Sequence, residues 1–448
     1  MSNEPQPLSN LLYATLGAIW LTLSPLSLAD MPRVTEGLLF TAKGSNTVGA
    51  ELVPRMAEQY LQAKGLINIS RQALGRENEY RVIGFQSNQT QPSYIDIAAH
   101  GSSTAFEGLD NQSADIGMAS RRIKSEEVQM LTHLGDMESF AAEKVIAIDG
   151  LAIIVHPQNK LAALNSEQVA KIFSGEISQW SQLGGGQGDI VRYARDENSG
   201  TWDTFKNLVL GKLPLAKGTA RFESNDELSK HVAGNINGIG FVGLAAVNKA
   251  KALAIYNQGT EAMLPTEIAV ATEDYLLSRR LYLYLSPNSS NPLVNDFIHF
   301  AQGQAGQSVV EDVGYVSQNP SLVKPDLNNI EDPDYLALVK NAQRLSVNIR
   351  FNAGSAELDN KALQDVARLA AFMAQPEQQN QQLLLIGFGD AKQTASRATV
   401  LSKLRATAVK MALYNQGIGS APVAGFGASK QVDGSNKERN QRVEVWLQ

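Results

Sequence analysis

A chain of 448 residues is longer than one ordinary core supports, so two or three domains are expected. Hydrophobic content of 43% with 19% charged residues describes a globular protein and excludes a disordered one. A net charge of -6, with no basic run longer than two residues, argues against nucleic acid as a partner. The absence of cysteine excludes disulfides, thiolate metal sites, a cysteine nucleophile and a lipid-modified N-terminal cysteine.

The chain starts with an apolar stretch, "LLYATLGAIWLTL", followed by Pro25 and "SLAD". A short apolar run, a breaker and small residues at Ser27 and Ala29 read as a secretory signal over residues 1–29, cleaved before Asp30. An uncleaved membrane anchor is the alternative, because "MSNEPQPLSN" supplies no Lys or Arg ahead of the run. Either way the bulk of the chain is exported.

Beyond Asp30, "GLLFTAKGS" predicts a strand, "ELVPRMAEQYLQAK" a helix and "YIDIAAHGS" a strand. "ADIGMAS", "VIAIDGLAIIVH", "SEQVAKIF" and "DIVRYAR" continue the alternation, which argues for an α/β architecture with helices packed on sheets. Pro, Asn and Asp accumulate from Gln318 to Asp334, where periodicity lapses. The expected organisation is therefore a first region over 30–325, a linker over 326–345 and a last domain over 346–448. In that last domain "LSVNIRFNAGSAEL", "KALQDVARLAAFMAQ", "QQLLLIGFGD" and "ASRATVLSKLRATAVKMALYNQG" alternate strand and helix, and "APVAGFG" and "RVEVWLQ" supply the final strands.

Three segments of the first region share one chemistry: "GSNTVG" from Gly44, "HGSSTAF" from His100 and "RDENSGT" from Arg195. Each places glycine and small hydroxyl residues between a strand and a helix start. One function for such residues is the N-cap, which satisfies orphan backbone N–H groups. The other is an anion site, since converging helix starts make a cage of N–H and hydroxyl donors. Arg195 would add a charge-assisted contact to an oxyanion. The five histidines are scattered without metal spacing, and neither a Gly-x-Ser-x-Gly elbow nor a His-Glu-x-x-His motif occurs. The run "LGGGQGD" lacks the Lys-Ser/Thr of a phosphate loop and reads as a turn. Binding without turnover is expected, with no cofactor and no metal.

With "ADIGMASRRIKSEE", "GLAIIVHPQN", "SEQVAKIFSGEISQW" and "NGIGFVGL", these segments resemble the PstS-type phosphate-binding proteins of bacterial ABC transporters, from Gly37 to Val323. The resemblance implies a two-lobed periplasmic-binding-protein clamp that closes on phosphate. It carries the ligand contacts over to Thr47, Val48, Ser102, Ser120, Arg195, Ser199, Gly200 and Thr201. Members place an aspartate where this chain has Ser120. A carboxylate there accepts the proton of protonated phosphate and repels ionised sulfate, whereas serine both donates and accepts. Neither Asp115 nor Arg121 aligns with that role, so selectivity over sulfate or another oxyanion stays open.

In the last domain Asp390 ends a strand and Arg405 lies on the next helix. The pair is either an ordinary ion pair or a clasp for a ligand carrying both an amine and a carboxylate. "FNAGSAEL", "GFGD", "LSKLRATAV", "NQGI", "GFGASK" and "ERNQRVEVW" resemble the OmpA-like peptidoglycan-binding domain from Asn348 to Gln448. That resemblance implies a smaller α/β domain in which Asp390 and Arg405 hold the diaminopimelate of the peptide stem, with Asn440 and Arg442 in support. The family's His-Thr is Phe388-Gly389 here, its asparagine Thr399 and its Arg-Arg pair Gln441-Arg442. Together the two resemblances imply an envelope protein of a Gram-negative periplasm, bound to peptidoglycan, that captures inorganic phosphate for uptake or sensing, with an ABC permease as a partner. The alternative is an envelope or adhesion protein that keeps the clamp fold without binding phosphate.

Overall fold

The alternation read from the sequence is the alternation the chain adopts in the computed structural model. Residues 36–448 are described apart from 88, 198, 325, 326, 328, 329, 353, 354, 391–393, 420, 435 and 436; the expected signal segment lies outside the described residues. Strands β1 (Gly37–Gly44), β2 (Ile67–Ala73), β3 (Glu79–Phe85), β4 (Ser93–Ala99) and β5 (Ile116–Ala119) build a first lobe. Strand β6 (Glu143–Val155) then carries the chain into a second lobe. That lobe holds β7 (Ala163–Asn165), β8 (Val191–Arg195), β9 (Ala220–Phe222), β10 (Gly238–Gly243), β11 (Lys251–Ala252) and β12 (Ala254–Tyr256). The chain returns to the first lobe as β13 (Ser278–Tyr284).

One eleven-stranded sheet runs β2-β3-β4-β1-β5-β13-β6-β10-β8-β9, with β11 also on β6. Thirteen residues let β6 serve both lobes. Glu143 to Gly150 pair antiparallel with β13, and Leu151 to Val155 pair antiparallel with β10. The outward crossing is therefore at Gly150–Leu151. The return crossing runs beside it: Ser278 lies opposite Gly150, Leu151 N–H donates to the Leu277 carbonyl at 3.0 Å, and the buried Tyr275 hydroxyl donates to the Leu151 carbonyl at 2.9 Å. A β-carbon on Gly150 would lie 2.7 Å from a Val270 methyl, so glycine lets the helix Glu267–Ala271 pack against the crossing.

Each lobe is fixed by its own aromatic core. In the first, the helix Leu52–Ala63 buries Leu52, Val53, Met56, Ala57, Tyr60 and Leu61, the spacing of one helical face. Tyr60 there meets the edge of Phe297 with ring centres 5.3 Å apart. In the second, Phe205 stacks on Phe241 at 3.8 Å and Phe173 stands edge-on to Phe205. Burying each ring contributes roughly 1.5–3 kcal/mol.

The C-terminal sheet has the order β14 (Leu322–Val323), β15 (Gln343–Arg350), β18 (Arg442–Leu447), β16 (Leu383–Gly387), β17 (Val423–Gly425). Leu345, Val347 and Ile349 face its hydrophobic core, together with the helices Asn360–Met373 and Ala395–Asn415. The alternate residues Arg344, Ser346, Asn348 and Arg350 are also buried, so the polar face of β15 is covered as well. The stretch 326–345, read as a linker, holds the helix Pro333–Val339, whose Tyr335 and Val339 pack with Phe388 and Trp446.

Candidate functional site

β1 runs parallel to both β4 and β5, so the loops following these neighbouring strands emerge at one edge. The carboxyl ends of parallel strands are where ligands bind in α/β sheets. Backbone bonds draw the loops together: His100 and Gly101 N–H groups donate to the Gly44 carbonyl at 2.7 and 2.8 Å, and Ser45 N–H donates to Met118 O at 2.7 Å. Gly44 has φ 146°, and a β-carbon there would lie 1.9 Å from Met118 O. Only glycine fits that approach.

The sequence-predicted residues of the first lobe meet in this loop cluster. Ser102 Oγ accepts from Ser120 N–H at 3.1 Å and lies 3.2 Å from Ser120 Oγ. Thr47 is buried at the start of the short helix Asn46–Gly49, and Ser45 Oγ beside it is buried without a hydrogen-bond partner among the described residues. Val48 lies wholly in the core, its N–H directed to Ser45 O at 3.2 Å.

The second lobe brings the remaining residues from the end of β8. Ser199 is an N-cap after all: its Oγ accepts from Thr201 and Trp202 N–H at 3.2 and 3.3 Å. The cap fixes the helix Gly200–Phe205, whose start faces Thr47. A β-carbon on Gly200 would lie 2.4 Å from Thr47 Cα, so this glycine allows the two lobes to touch. Arg195 is held by the carbonyls of Phe222 and Glu223 and donates to Thr201 Oγ1 at 3.3 Å. Burial pushes its pKa down, opposed by Asp196 at 3.7 Å. A buried guanidinium held in that way gains from a bound anion.

Three functional candidates were not read from the sequence: Asp149, Asp203 and Arg279. Arg279 donates from Nη2 to Thr47 Oγ1 at 2.7 Å, from Nε to Asp149 at 3.3 Å and from Nη1 to Asp203 at 3.3 Å. The same Asp203 oxygen accepts from Ser120 Oγ at 3.1 Å. A carboxylate thus stands against Ser120, although it comes from a helix of the other lobe. The signal available in the sequence was the double arginine of "SRRLYLYL", unusual in an otherwise apolar strand. Asp115 instead accepts from Thr41 N–H at 2.8 Å, and Arg121 pairs with Glu127 at 2.6 Å.

In the C-terminal domain Arg405 donates to Gln441 Oε1 at 2.9 Å and lies over the Phe351 ring. Burial lowers its pKa while the nearby Asp390 charge raises it, so the two predicted residues share one electrostatic neighbourhood. Asn440 is occupied otherwise, accepting from Val432 and Asp433 N–H and donating to Asp433 O. Arg442 is 1% exposed, lies over Phe388, and bonds Glu444 at 3.2 Å with Asp274 at 3.5 Å. Both residues shape the domain without presenting a side chain to solvent. Phe388, where the family has histidine, is the apolar floor under Arg442.

Residues 82–304 match the PBP superfamily domain, and residues 350–444 match the OmpA family. The phosphate-binding protein PstS of Borreliella burgdorferi is 29% identical over 237 residues, covering 51% of this chain and 81% of that protein. The phosphate-binding protein PstS of Pseudomonas aeruginosa is 28% identical over 311 residues, covering 64% and 94%. The crystal structure of a possible phosphate binding protein from Planctomyces limnophilus superposes with a TM-score of 0.51 at 23% identity, over 63% of this chain and 93% of that one, a likeness of fold.

Proposed function

From a chain that carries a PBP superfamily domain followed by an OmpA family domain, we propose an envelope protein of a Gram-negative periplasm that binds phosphate between its lobes and holds peptidoglycan through its C-terminal domain. The observation that carries this reading is the meeting of Ser102, Ser120 and Thr47 from one lobe with Arg195 and the Ser199–Thr201 helix start from the other. Hydroxyls, backbone N–H groups and a guanidinium favour a tetrahedral oxyanion. Asp203 supplies the carboxylate that Ser120 lacks. It accepts the proton of hydrogen phosphate and repels fully ionised sulfate.

Asp390 and Arg405 hold the zwitterionic end of diaminopimelate, carboxylate to ammonium and guanidinium to carboxylate. Attachment to the wall raises the local concentration of the clamp near a membrane partner, such as an ABC permease or a sensor. No hydrolytic step is assigned to the site, in keeping with relatives named as binding proteins.

A second reading keeps the fold without the ligand. It is favoured by the mutual compensation of Arg279, Asp149 and Asp203 inside the cage. Titration calorimetry of the anion-stripped protein with phosphate and with sulfate separates the two. Phosphate binding with weak sulfate binding is expected, and no heat with either anion from a folded sample supports the second reading.

A further inference from the structure

The segment Thr272–Ser278, the return crossing between the lobes, is gripped by the C-terminal domain. Arg350 Nη2 donates to Thr272 O at 2.8 Å and to Asp274 at 3.0 Å, and Asn348 Nδ2 reaches the same two residues. Arg439 closes the grip by donating to the carbonyls of Tyr275 and Ser278, at 2.7 and 2.9 Å. These carbonyls flank Leu277, whose own carbonyl ties the return crossing to Leu151 on the outward one. The polar face of β15 therefore lies on the hinge of the clamp.

The same domain also touches both lobes. Asn360 Nδ2 donates to Glu138 O at 2.8 Å in the first lobe. Asn257, at the end of β12 in the second lobe, donates to Asp433 at 3.2 Å. Beside it Gly434 packs so closely that a β-carbon would lie 2.1 Å from Gln258 O. A body attached to both lobes and to the hinge between them resists any change in the angle between the lobes. Opening must break the contact on one side.

We infer that the C-terminal domain is a brace on the clamp: it holds the lobes in the closed arrangement, so anion retention and the seating of the wall-binding domain are linked. Linkage is reciprocal. A closed, occupied clamp seats the C-terminal domain more firmly, and unseating that domain at the wall favours opening and release. The inference rests on the phosphate reading for its ligand, but the brace itself is a statement about the lobes.

The test uses the full chain and Gly434→Val, which crowds Gln258 O and leaves the anion cage and the buried charges around Asp274 untouched. Stopped-flow release of phosphate is measured alongside lobe separation. The absence of native cysteine allows spin labels at Gln62→Cys and Lys212→Cys, exposed positions on the first and second lobes. Phosphate release is expected to quicken by roughly fivefold or more, the lower end of ordinary coupling. The inter-lobe distances of the phosphate-free chain are expected to shift longer. Asp274→Ala, which loosens the grip on the hinge itself, is expected to act in the same direction. Unchanged release and unchanged distances in a folded Gly434→Val chain would overturn the brace. A parent chain that binds no phosphate would defeat the phosphate reading instead, and the label distances would still decide the brace.

Discussion

Arg279 and Arg280 are consecutive on β13 and face opposite sides of the sheet. Arg279 reaches the candidate anion site, bonding Thr47, Asp149 and Asp203. Arg280 turns to the C-terminal domain, pairing with Asp359 at 2.8 Å and with Glu273 at 2.8 Å. Strand alternation alone produces this division, and it puts the cage and the domain interface one residue apart on a single strand at the hinge.

Arg279 is the more exacting of the two, because its partner Asp149 is also buried. Removing one member of a buried pair leaves the other charged and without compensation, a cost of about 3–5 kcal/mol. Arg279→Ala is expected to lose that much stability in urea denaturation. Adding Asp149→Asn should restore part of it, and no recovery would mean that the cost arises from packing alone.

Asp203→Asn tests the origin of selectivity. The carboxylate takes hydrogen bonds from Ser120 and Arg279 and is 43% exposed at its side chain. Without its charge, sulfate meets less repulsion. Its affinity by calorimetry is expected to rise at least tenfold, about 1.4 kcal/mol, while phosphate weakens. Sulfate binding that does not change would assign selectivity to another group.

Arg195 is the cation fixed in place, its guanidinium held by the Phe222 and Glu223 carbonyls. Arg195→Ala should reduce phosphate affinity by on the order of a hundredfold or more, since hydrogen bonds to charged groups contribute roughly 1.5–3 kcal/mol each. Arg195→Lys should restore little of it, because an ammonium cannot reproduce the planar fork. Sedimentation with peptidoglycan should be unaltered in both variants.

The strands around the candidate site were legible because β1, β4, β5 and β8 are short runs next to glycine-containing turns and β6 is a long apolar run. β13 was not, because two arginines at its start resemble a surface segment; apart from Glu273, their carboxylate partners Asp149, Asp203 and Asp359 are distant in sequence. In the expected linker, Asp332 and Pro333 read as breakers. They are the cap and first turn of a helix, with Asp332 accepting from Asp334 and Tyr335 N–H at 3.0 Å. Burial of Tyr335 against Phe388 and Trp446 decides that the segment packs, which breaker residues alone do not reveal. Asn440 and Arg442 were legible as residues and not as contacts, since only the fold shows their groups turned inward.

Acid sensitivity follows from Glu273, whose side chain is 12% exposed at the domain interface. Burial alone would raise its pKa; Arg280, Lys361 and Arg350 outweigh that and hold it at about 2. The folded value lies below the ordinary 4.5, so the stabilisation is complete above pH 4.5 and is lost as pH falls through 2. The shift corresponds to roughly 3 kcal/mol. Glu273→Gln is expected to flatten the pH dependence of stability across that window, measured by denaturation at stepped pH. An unaltered slope would place the acid sensitivity elsewhere.

The wall site is tested apart from the cage. Asp390 and Arg405 share one electrostatic neighbourhood, and Gly389 leaves room next to Arg405, its nearest guanidinium nitrogen 3.6 Å from where a β-carbon would stand. Asp390→Ala and Arg405→Ala should each abolish sedimentation with peptidoglycan that contains diaminopimelate while leaving the closed-state phosphate affinity within about twofold, below 0.5 kcal/mol. Arg442→Ala should behave differently. Its guanidinium bridges Glu444 and Asp274, so its loss removes a cation that Glu444 shares with Arg344 and Asp274 with Arg350, and lowers the melting temperature before it touches either ligand. Wall binding that survives both variants would remove the diaminopimelate assignment and leave Asp390 and Arg405 as electrostatic neighbours alone.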